Sequence, residues 1–365
     1  MSKLVKYLLI SINIIAIVSL IGSYLSIYID PRDYSIFQFF GLGFIFIYII
    51  NFLFLLFWIF IKRKKILIII NLLFIIIGFS FLSDFFNINF TNNDNDTNNF
   101  KIISYNVRQF DLYNWKENKI NRNKYFDFLK KENPDIICFQ EYYEDETKKF
   151  ITTDSIISFL KTKNFYFKNT DLSSNKYKFG IATFSKYPIL KSDFFEFENT
   201  SNIIIYSDLL INADTIRVFN THLQSIRFQP EDYKFIEDVE KSIDSVAFKE
   251  AKPLIVKLRD AYKMRAIQTN SLHSLIKMSP YKVIVCGDFN DTPISYTYHT
   301  AKGNLHDAFI EAGTGMSRTY NGTFPSFRID YVLYSNGIEA LDYKCPKIPI
   351  SDHYPIVVTL NNKPK

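Results

Sequence analysis

The composition of this chain changes abruptly near residue 84, and no single fold accommodates both sides of that break. Before it, Ile, Leu and Phe dominate three stretches at about 7–28, 36–61 and 66–83. Each reads as a bilayer-crossing helix, which needs roughly 20 apolar residues. The third is short and has to begin close to the interface; Lys62, Arg63, Lys64 and Lys65 before it suit a tight hairpin turn. The first stretch lacks a small-x-small cleavage pattern and two more apolar spans follow it, which argues against a removed signal peptide. Lys3, Lys6 and the basic turn mark cytoplasmic ends, whereas the loop with Asp30, Arg32 and Asp33 carries little positive charge. Three crossings put everything after residue 84 on the extracytoplasmic side of an integral membrane protein.

The chain therefore divides into a membrane anchor (1–84), an Asn/Asp-rich linker (85–100) and a larger domain (101–365). The linker stretch NFTNNDNDTNNF has no apolar period and suits a solvated tether. Beyond it, strand and helix patterns alternate without internal repeat, enough chain for one α/β domain with a sizeable core. Seven of the 43 Lys/Arg and five of the 37 Asp/Glu precede residue 100, leaving 36 against 32. A surplus of four is weak for a dedicated duplex-DNA binder, so charge neither indicates nor excludes nucleic acid. Cys138 and Cys286 sit inside buried-strand patterns and Cys345 stands alone, so free thiols are expected.

Within the larger domain, polar residues recur where apolar, β-branched runs stop. KIISYNV ends near Asn106, whose amide suits turn capping as well as ligation. PDIICFQE stops at Glu141; a carboxylate at the end of a central strand is costly to bury unpaired and wants a cation, either a metal or a nearby Lys or Arg. TIRVFNTHL places His222 at a strand end, where a structural imidazole is the alternative. YKVIVCGDFND is the most specific segment: an apolar strand, a turn-permitting Gly287, then Asp288 and Asn290 two residues apart and so on one face of an extended segment. Such a pair can take a proton from water and hold a phosphate oxygen. FRIDYVLYS and SDHYPIVVTL add Asp330, Asp352 and His353; an Asp330–His353 pair would fix the imidazole tautomer and leave Asp352 free to approach a metal.

The ordered series SYNVR, FQE, GIATFSKYPI, NTHL, GDFND, RIDYVLYS and SDHYPI resembles the endonuclease/exonuclease/phosphatase superfamily over about 101–361. The resemblance implies a four-layer α/β/β/α sandwich of two mixed sheets, here preceded by three transmembrane helices, and Mg²⁺-dependent hydrolysis of a phosphoester, with Mn²⁺ as the alternative metal. Carried over, Glu141 is the principal metal ligand, flanked by Asn106 and Asp352. Asp288 positions or deprotonates water. Asn290 and His222, with Asn106, hold the phosphate, and His353, oriented by Asp330, stabilises it or its leaving group.

NTHL resembles the branch shared by deoxyribonucleases, deadenylases and sphingomyelinases rather than the abasic-site endonucleases. The expected activity is phosphodiester hydrolysis on nucleic acid, the alternative a phospholipid or inositol-phosphate head-group hydrolase; no partner protein is implied. A helical pattern at about 253–278 (Leu254, Leu258, Ala261, Tyr262, Arg265, Ile267, Leu272, Leu275) reads as packing. The stretch before it, with Arg227, Asp232 and Tyr233, is the expected position of a substrate lid.

Overall fold

The computed structural model describes residues 3–61, 64–89, 98–114, 116–171, 174, 176–241, 247–322 and 327–363. Lys62 and Arg63 of the basic turn and residues 90–97 of the expected linker lie outside the described residues.

The apolar, β-branched runs form two six-stranded sheets. In the first, the order is Ile338–Lys344, Ile356–Asn362, Asn99–Asn106, Ile136–Asp145, Tyr177–Ser185, Asn164–Asn169. In the second, it is His306–Asp307, Asp330–Tyr334, Lys282–Asp288, Asp214–His222, Ile203–Ile211, Ile189–Glu196. Each sheet is mixed, with one parallel pair among antiparallel neighbours: Asn99–Asn106 with Ile136–Asp145, and Asp214–His222 with Lys282–Asp288.

Successive side chains of a strand point to opposite faces, and both faces here are covered. Ile102, Ile136 and Cys138 meet Val218, Ile284 and Cys286 between the sheets. Their neighbours Ile103, Ile137 and Phe139 pack outward against Tyr125 and Leu129 of helix Asn118–Glu132. On the far side Phe219, Val283 and Val285 pack against Leu272 of helix Ala247–Lys277 and Tyr298 of helix Tyr296–Lys302. The result is helix, sheet, sheet, helix. All three cysteines are free thiols. The long helix buries Leu258, Ala261, Tyr262, Arg265 and Leu272 as expected, but Ile267 is exposed.

The N-terminal part is built the other way round. Helices Lys3–Leu25, Phe44–Ile61 and Lys65–Phe79 turn apolar side chains outward: Ile15, Leu53 and Ile69 are 65%, 57% and 64% exposed. Between the helices Asn13, Asn51 and Asn71 are fully buried. Asn13 and Asn71 exchange amide hydrogen bonds at 3.0 and 3.1 Å, and Trp58 Nε1 donates to Asn13 Oδ1 at 2.9 Å. Lys3–Leu25 and Phe44–Ile61 are long and apolar enough to cross a membrane. The other expected spans change. Lys65–Phe79 has 15 residues, short of the roughly 20 a bilayer core requires. The span expected from 36 is broken, because Ile36–Leu42 is a separate short helix ending at Gly43.

That short helix docks on the α/β domain. Gln38 Oε1 accepts from Tyr296 N at 3.2 Å, Ser26 Oγ donates to the Ile294 carbonyl at 3.1 Å, and the Phe39 ring meets Tyr262 edge-on at 5.5 Å. A second seam follows the third helix. Asp84 is buried, Phe86–Asn87 pairs with Gly315–Met316, and Asn89 Nδ2 donates to the Ile310 and Gly313 carbonyls at 2.8 and 2.9 Å. The expected linker thus begins with docked residues.

Candidate active site

Strand register in the second sheet assembles half of the site. His222 ends one strand and Asp288 its parallel neighbour, and the two are Cα partners; Asp330 opens the antiparallel strand on the other side and also faces Asp288. Asp330, Asp288 and His222 therefore form one row. Gly287 permits it: a Cβ there would lie 2.0 Å from the Thr221 carbonyl oxygen, and its φ is +156°. No side chain can be added without prising the parallel strands apart.

The first sheet supplies the facing half. Asn106 ends its strand, and Glu141 follows in a bulge where the pairing with Tyr177–Ser185 shifts between Phe139 and Tyr142. Glu141 adopts a φ of +49°, so the bulge aims its carboxylate at the pocket instead of along the ladder. Asn106 Nδ2 donates to Asp288 Oδ2 at 3.0 Å and to Glu141 Oε1 at 3.3 Å, tying the two sheets' carboxylates together. The loop before Ile356–Asn362 adds the rest. His353 Nδ1 lies 3.0 and 3.2 Å from the Asp330 oxygens and Nε2 lies 3.6 Å from Asp288. Ser351 Oγ bonds the Asn106 carbonyl at 2.9 Å, fixing this loop against the first sheet.

Burial and neighbouring charges set the protonation states. Burial alone would depress the His353 imidazolium, but Asp330 and Asp288 outweigh it and hold the group well above the usual range. Burial pushes the Asp288 carboxyl up to about 6, opposed by His353 and His222 and reinforced by Asp330. Burial likewise lowers His222 and, with Asp352 adding, raises Glu141. The site thus holds a cationic His353, a neutral His222 at physiological pH and a carboxyl at Asp288 suited to exchanging a proton near neutrality.

His222 Nε2 is buried without a hydrogen-bond partner, 3.6 Å from Asp288 and 3.8 Å from Glu141. An orphaned polar atom between two carboxylates, in a cavity that Asp352 also lines, suits a hard cation and its anionic ligand. Among the described residues, Asp288, Asp330 and His353 also bring their ligand atoms within 4.8 Å of one another. Asp330 and His353 are already hydrogen-bonded to each other and both Asp288 oxygens accept hydrogen bonds, from Asn290 N and Asn106 Nδ2, which leaves the oxygens of Glu141 and Asp352 as the donors suited to an ion. Asn106, an expected ligand, turns its N–H toward the carboxylates and its Oδ1 toward Arg108 N at 3.1 Å.

All the expected residues except Asn106 and Asp330 line one cavity of about 240 Å³, and those two stand directly behind its carboxylate and imidazole. Asn290 lines it too, its Nδ2 donating to the Leu223 carbonyl at 3.0 Å. Of the expected lid residues, Arg227 and Tyr233 reach the cavity; Asp232 instead accepts from Gln229 N at 2.7 Å and pairs with Lys257. Sequence reading missed four contributors. Gln140 Nε2 donates to Asn220 Oδ1 at 2.7 Å, clamping the sheets beneath the floor, both side chains fully buried. Tyr320 packs edge-on to His353 at 5.5 Å. Arg265, read as packing, pairs with Asp291 at 3.0 Å and donates to the Gln224 carbonyl at 2.9 Å. Leu42, from the N-terminal unit, also lines the cavity. The letters of FQE, NTHL and GDFND held the first signal; Tyr320 and Leu42 had none.

A sequence profile of the Endonuclease/Exonuclease/phosphatase family matches residues 103–353, and a profile described as a domain of unknown function matches residues 6–85. Comparison with curated proteins gave no match. Among solved structures, an endonuclease/exonuclease/phosphatase from Beutenbergia cavernae is similar with a TM-score of 0.50 and 13% identity, covering 73% of this chain and 72% of that one. A family protein from Leptotrichia buccalis has a TM-score of 0.49 at 16% identity, covering 72% and 99%. The human Nocturnin catalytic domain with bound sulfate has 0.49 at 19%, covering 72% and 93%. The profile match spans well over half the chain, including every strand end that meets at the cavity, and the chain belongs to the endonuclease/exonuclease/phosphatase family.

Proposed function

We propose that this protein is a membrane-held, divalent-metal-dependent phosphodiester hydrolase whose catalytic domain stands outside the cytoplasm. The observation that carries the chemistry is the convergence of Glu141, Asp288, His222 and His353 on one cavity around an unpartnered His222 Nε2. Glu141 and Asp352 would hold Mg²⁺ or Mn²⁺. Bound there, the ion neutralises charge developing on the phosphoryl and leaving oxygens. Asp288, held by the Asn290 N–H at 2.8 Å and by Asn106, takes the proton of the attacking water. His353, kept cationic and oriented by Asp330, donates to a phosphoryl or leaving oxygen, and His222 and Asn290 hold the phosphate.

The membrane part of the reading is supported by the outward apolar faces and inward asparagines of the N-terminal helices, an arrangement suited to lipid around them. Lys3 and Lys6 begin the first helix, Lys64 caps and Lys65 begins the third, at the ends remote from the α/β domain; positive charge there favours the cytoplasmic side, and on this reading the 15-residue third helix crosses a locally thinned bilayer.

Two substitutions test the chemistry, because a metal ligand and a proton acceptor fail differently. Glu141→Gln lowers metal affinity and activity together, whereas Asp288→Asn lowers turnover by ~10²-fold or more with metal binding retained by calorimetry. Full activity in Asp288→Asn would remove it from the mechanism. Orientation is tested by alkaline phosphatase fused after residue 100, which is active only in an oxidising, non-cytoplasmic compartment. An inactive fusion with an active cytoplasmic reporter at the same junction reverses it.

A further inference from the structure

We propose that the N-terminal helical unit builds one wall of the catalytic cavity through Leu42, and that the substrate is a membrane lipid phosphodiester whose apolar part lies against that wall. This rests on the hydrolase reading above and names its substrate class.

The cavity has two kinds of lining. Beside the polar set just described stand the apolar side chains of Leu42, Ile226, Phe228, Leu258, Tyr262 and Ile329. A phosphodiester seated on the polar set therefore has an apolar surface beside one of its ester groups. Leu42 reaches this wall by specific docking. Gly41 lies so close to the domain that a Cβ on it would sit 2.2 Å from the Ile294 carbonyl oxygen. Gln38, 2% exposed, bridges the Tyr296 N–H and the Ser26 carbonyl, its Nε2 donating to the latter at 2.8 Å. Buried polar groups matched this way fix one arrangement of helical unit and domain.

The wall also lies at the head of an outward apolar surface. Leu42 is two residues from Phe44, where the long helix Phe44–Ile61 begins, and Phe46, Ile49 and Leu53 on that helix are 59%, 49% and 57% exposed. A lipid held by its phosphate in the cavity would extend its apolar part from Leu42 toward these exposed side chains.

Charge favours the same occupant. The cavity and the adjoining groove between Arg108 and Asn321 are lined by five carboxylates (Asp111, Glu141, Asp288, Asp291, Asp352) and, besides the His353 imidazolium, four Lys/Arg side chains (Arg108, Arg227, Lys234, Arg265). Arg265 and Arg108 already pair with Asp291 and Asp352. A polynucleotide needs a track of cations for successive phosphates, whereas a lipid presents one diester. In the reaction the water oxygen bonds phosphorus as the bond to the leaving ester oxygen breaks; Asp288 takes the water's proton, and the leaving oxygen is protonated by His353 or solvent.

The test uses the full chain in phosphatidylcholine/phosphatidylglycerol vesicles with Mg²⁺. Release of phosphorylated or free head group is compared with hydrolysis of methyl p-nitrophenyl phosphate and of a DNA oligonucleotide. Leu42→Ser is expected to lower kcat/KM for lipid at least ~10-fold more than for the small diester, chiefly through KM, the scale of a lost apolar contact in a specificity pocket. Gly41→Val, which lifts the helix off Ile294, is expected to produce the same selective loss with the domain still folded by near-ultraviolet circular dichroism. Equal losses on both substrates, or DNA cleavage without lipid hydrolysis, overturn the proposal while the hydrolase reading stands. No hydrolysis of any of the three by the unsubstituted chain overturns both.

Discussion

The two halves of this molecule solve opposite problems with the same residue types. In the α/β domain the apolar residues are inside, as with Ile102, Ile136 and Ile284, and the polar ones collect at strand ends. In the N-terminal unit Asn13, Asn51 and Asn71 are inside, beside a small apolar cluster with Leu20 and Leu55, and many Ile and Leu are outside. Burial of an amide is costly in either place unless it is matched, and both regions pair amides, Asn13 with Asn71 and Gln140 with Asn220, while the Asn51 and Gln140 amide oxygens stay without a partner. The difference lies in what surrounds them. In water, apolar burial drives the sheets together and the polar residues have only to be accommodated; on the membrane reading proposed above, apolar side chains in lipid gain little by packing on one another, and packing detail and polar pairs would hold the helices.

The comparison is broken most sharply at Gly287. Gly287→Ala puts a methyl group against the Thr221 carbonyl and pushes apart the strands that align His222 with Asp288. Activity should fall by ~10²-fold or more, since an ångström of misplacement at a reacting centre costs that much, with stability lower by about 1–3 kcal/mol. Unchanged activity and thermal midpoint would mean that the parallel register does not set the site. An equivalent Gly→Ala change at Gly43, where a Cβ meets nothing nearer than 3.4 Å, should alter neither by comparable amounts.

Asp84 tests the seam between the halves. Burial pushes this carboxyl up to about 7, Arg328 opposing and Asp307 adding. A carboxyl whose folded value lies above its unfolded one favours folding while protonated, and that contribution is lost as pH rises from about 4 through 7. Asp84→Asn removes the titration. In detergent, the variant should match the parent near pH 4 and exceed it by up to ~4 kcal/mol at pH 8, read from denaturation at each pH. A parent and variant that run parallel from pH 4 to 8 would show that Asp84 titrates alike in both states.

The smallest effect belongs to the helical interior. Asn71→Leu leaves Asn13 with only the Trp58 N–H and should cost about 0.6–2 kcal/mol in micelles, the range for hydrogen bonds between helices in lipid. Hydrolysis of a small soluble diester should be untouched, because these groups lie far along the helices from the cavity. A gain in stability would mark the pair as tolerated rather than stabilising.

Much of this was legible in the chain. The strands announced themselves as short β-branched runs with polar ends, and the cavity gathers the side chains expected there: Glu141, His222, Asp288, Asn290, Asp352 and His353. The Asp330–His353 pair followed from the cost of leaving either buried alone. Less legible was the break at Gly43. Hydropathy counts apolar residues without regard to what they touch, and Ile36–Leu42 is as apolar as a spanning helix although it docks on protein. The orientation of the Asn106 amide was also unreadable, since both of its ends look alike in one dimension.

What the sequence by itself determined is local: the two periodicities, the position of the compositional break, and the chemical types at each strand end. These are short-range properties, fixed by neighbours within a few residues. Tertiary structure alone decided which ends meet. Asn106 and Asp288 are separated by 182 positions and joined by one hydrogen bond, and Ser26 and Ile294 by 268. Such contacts depend on strand register, a bulge at Glu141 and the docking of one helical face. A one-residue slip in any strand would turn its side chains to the opposite face, and no local pattern records the partner against which that register is set.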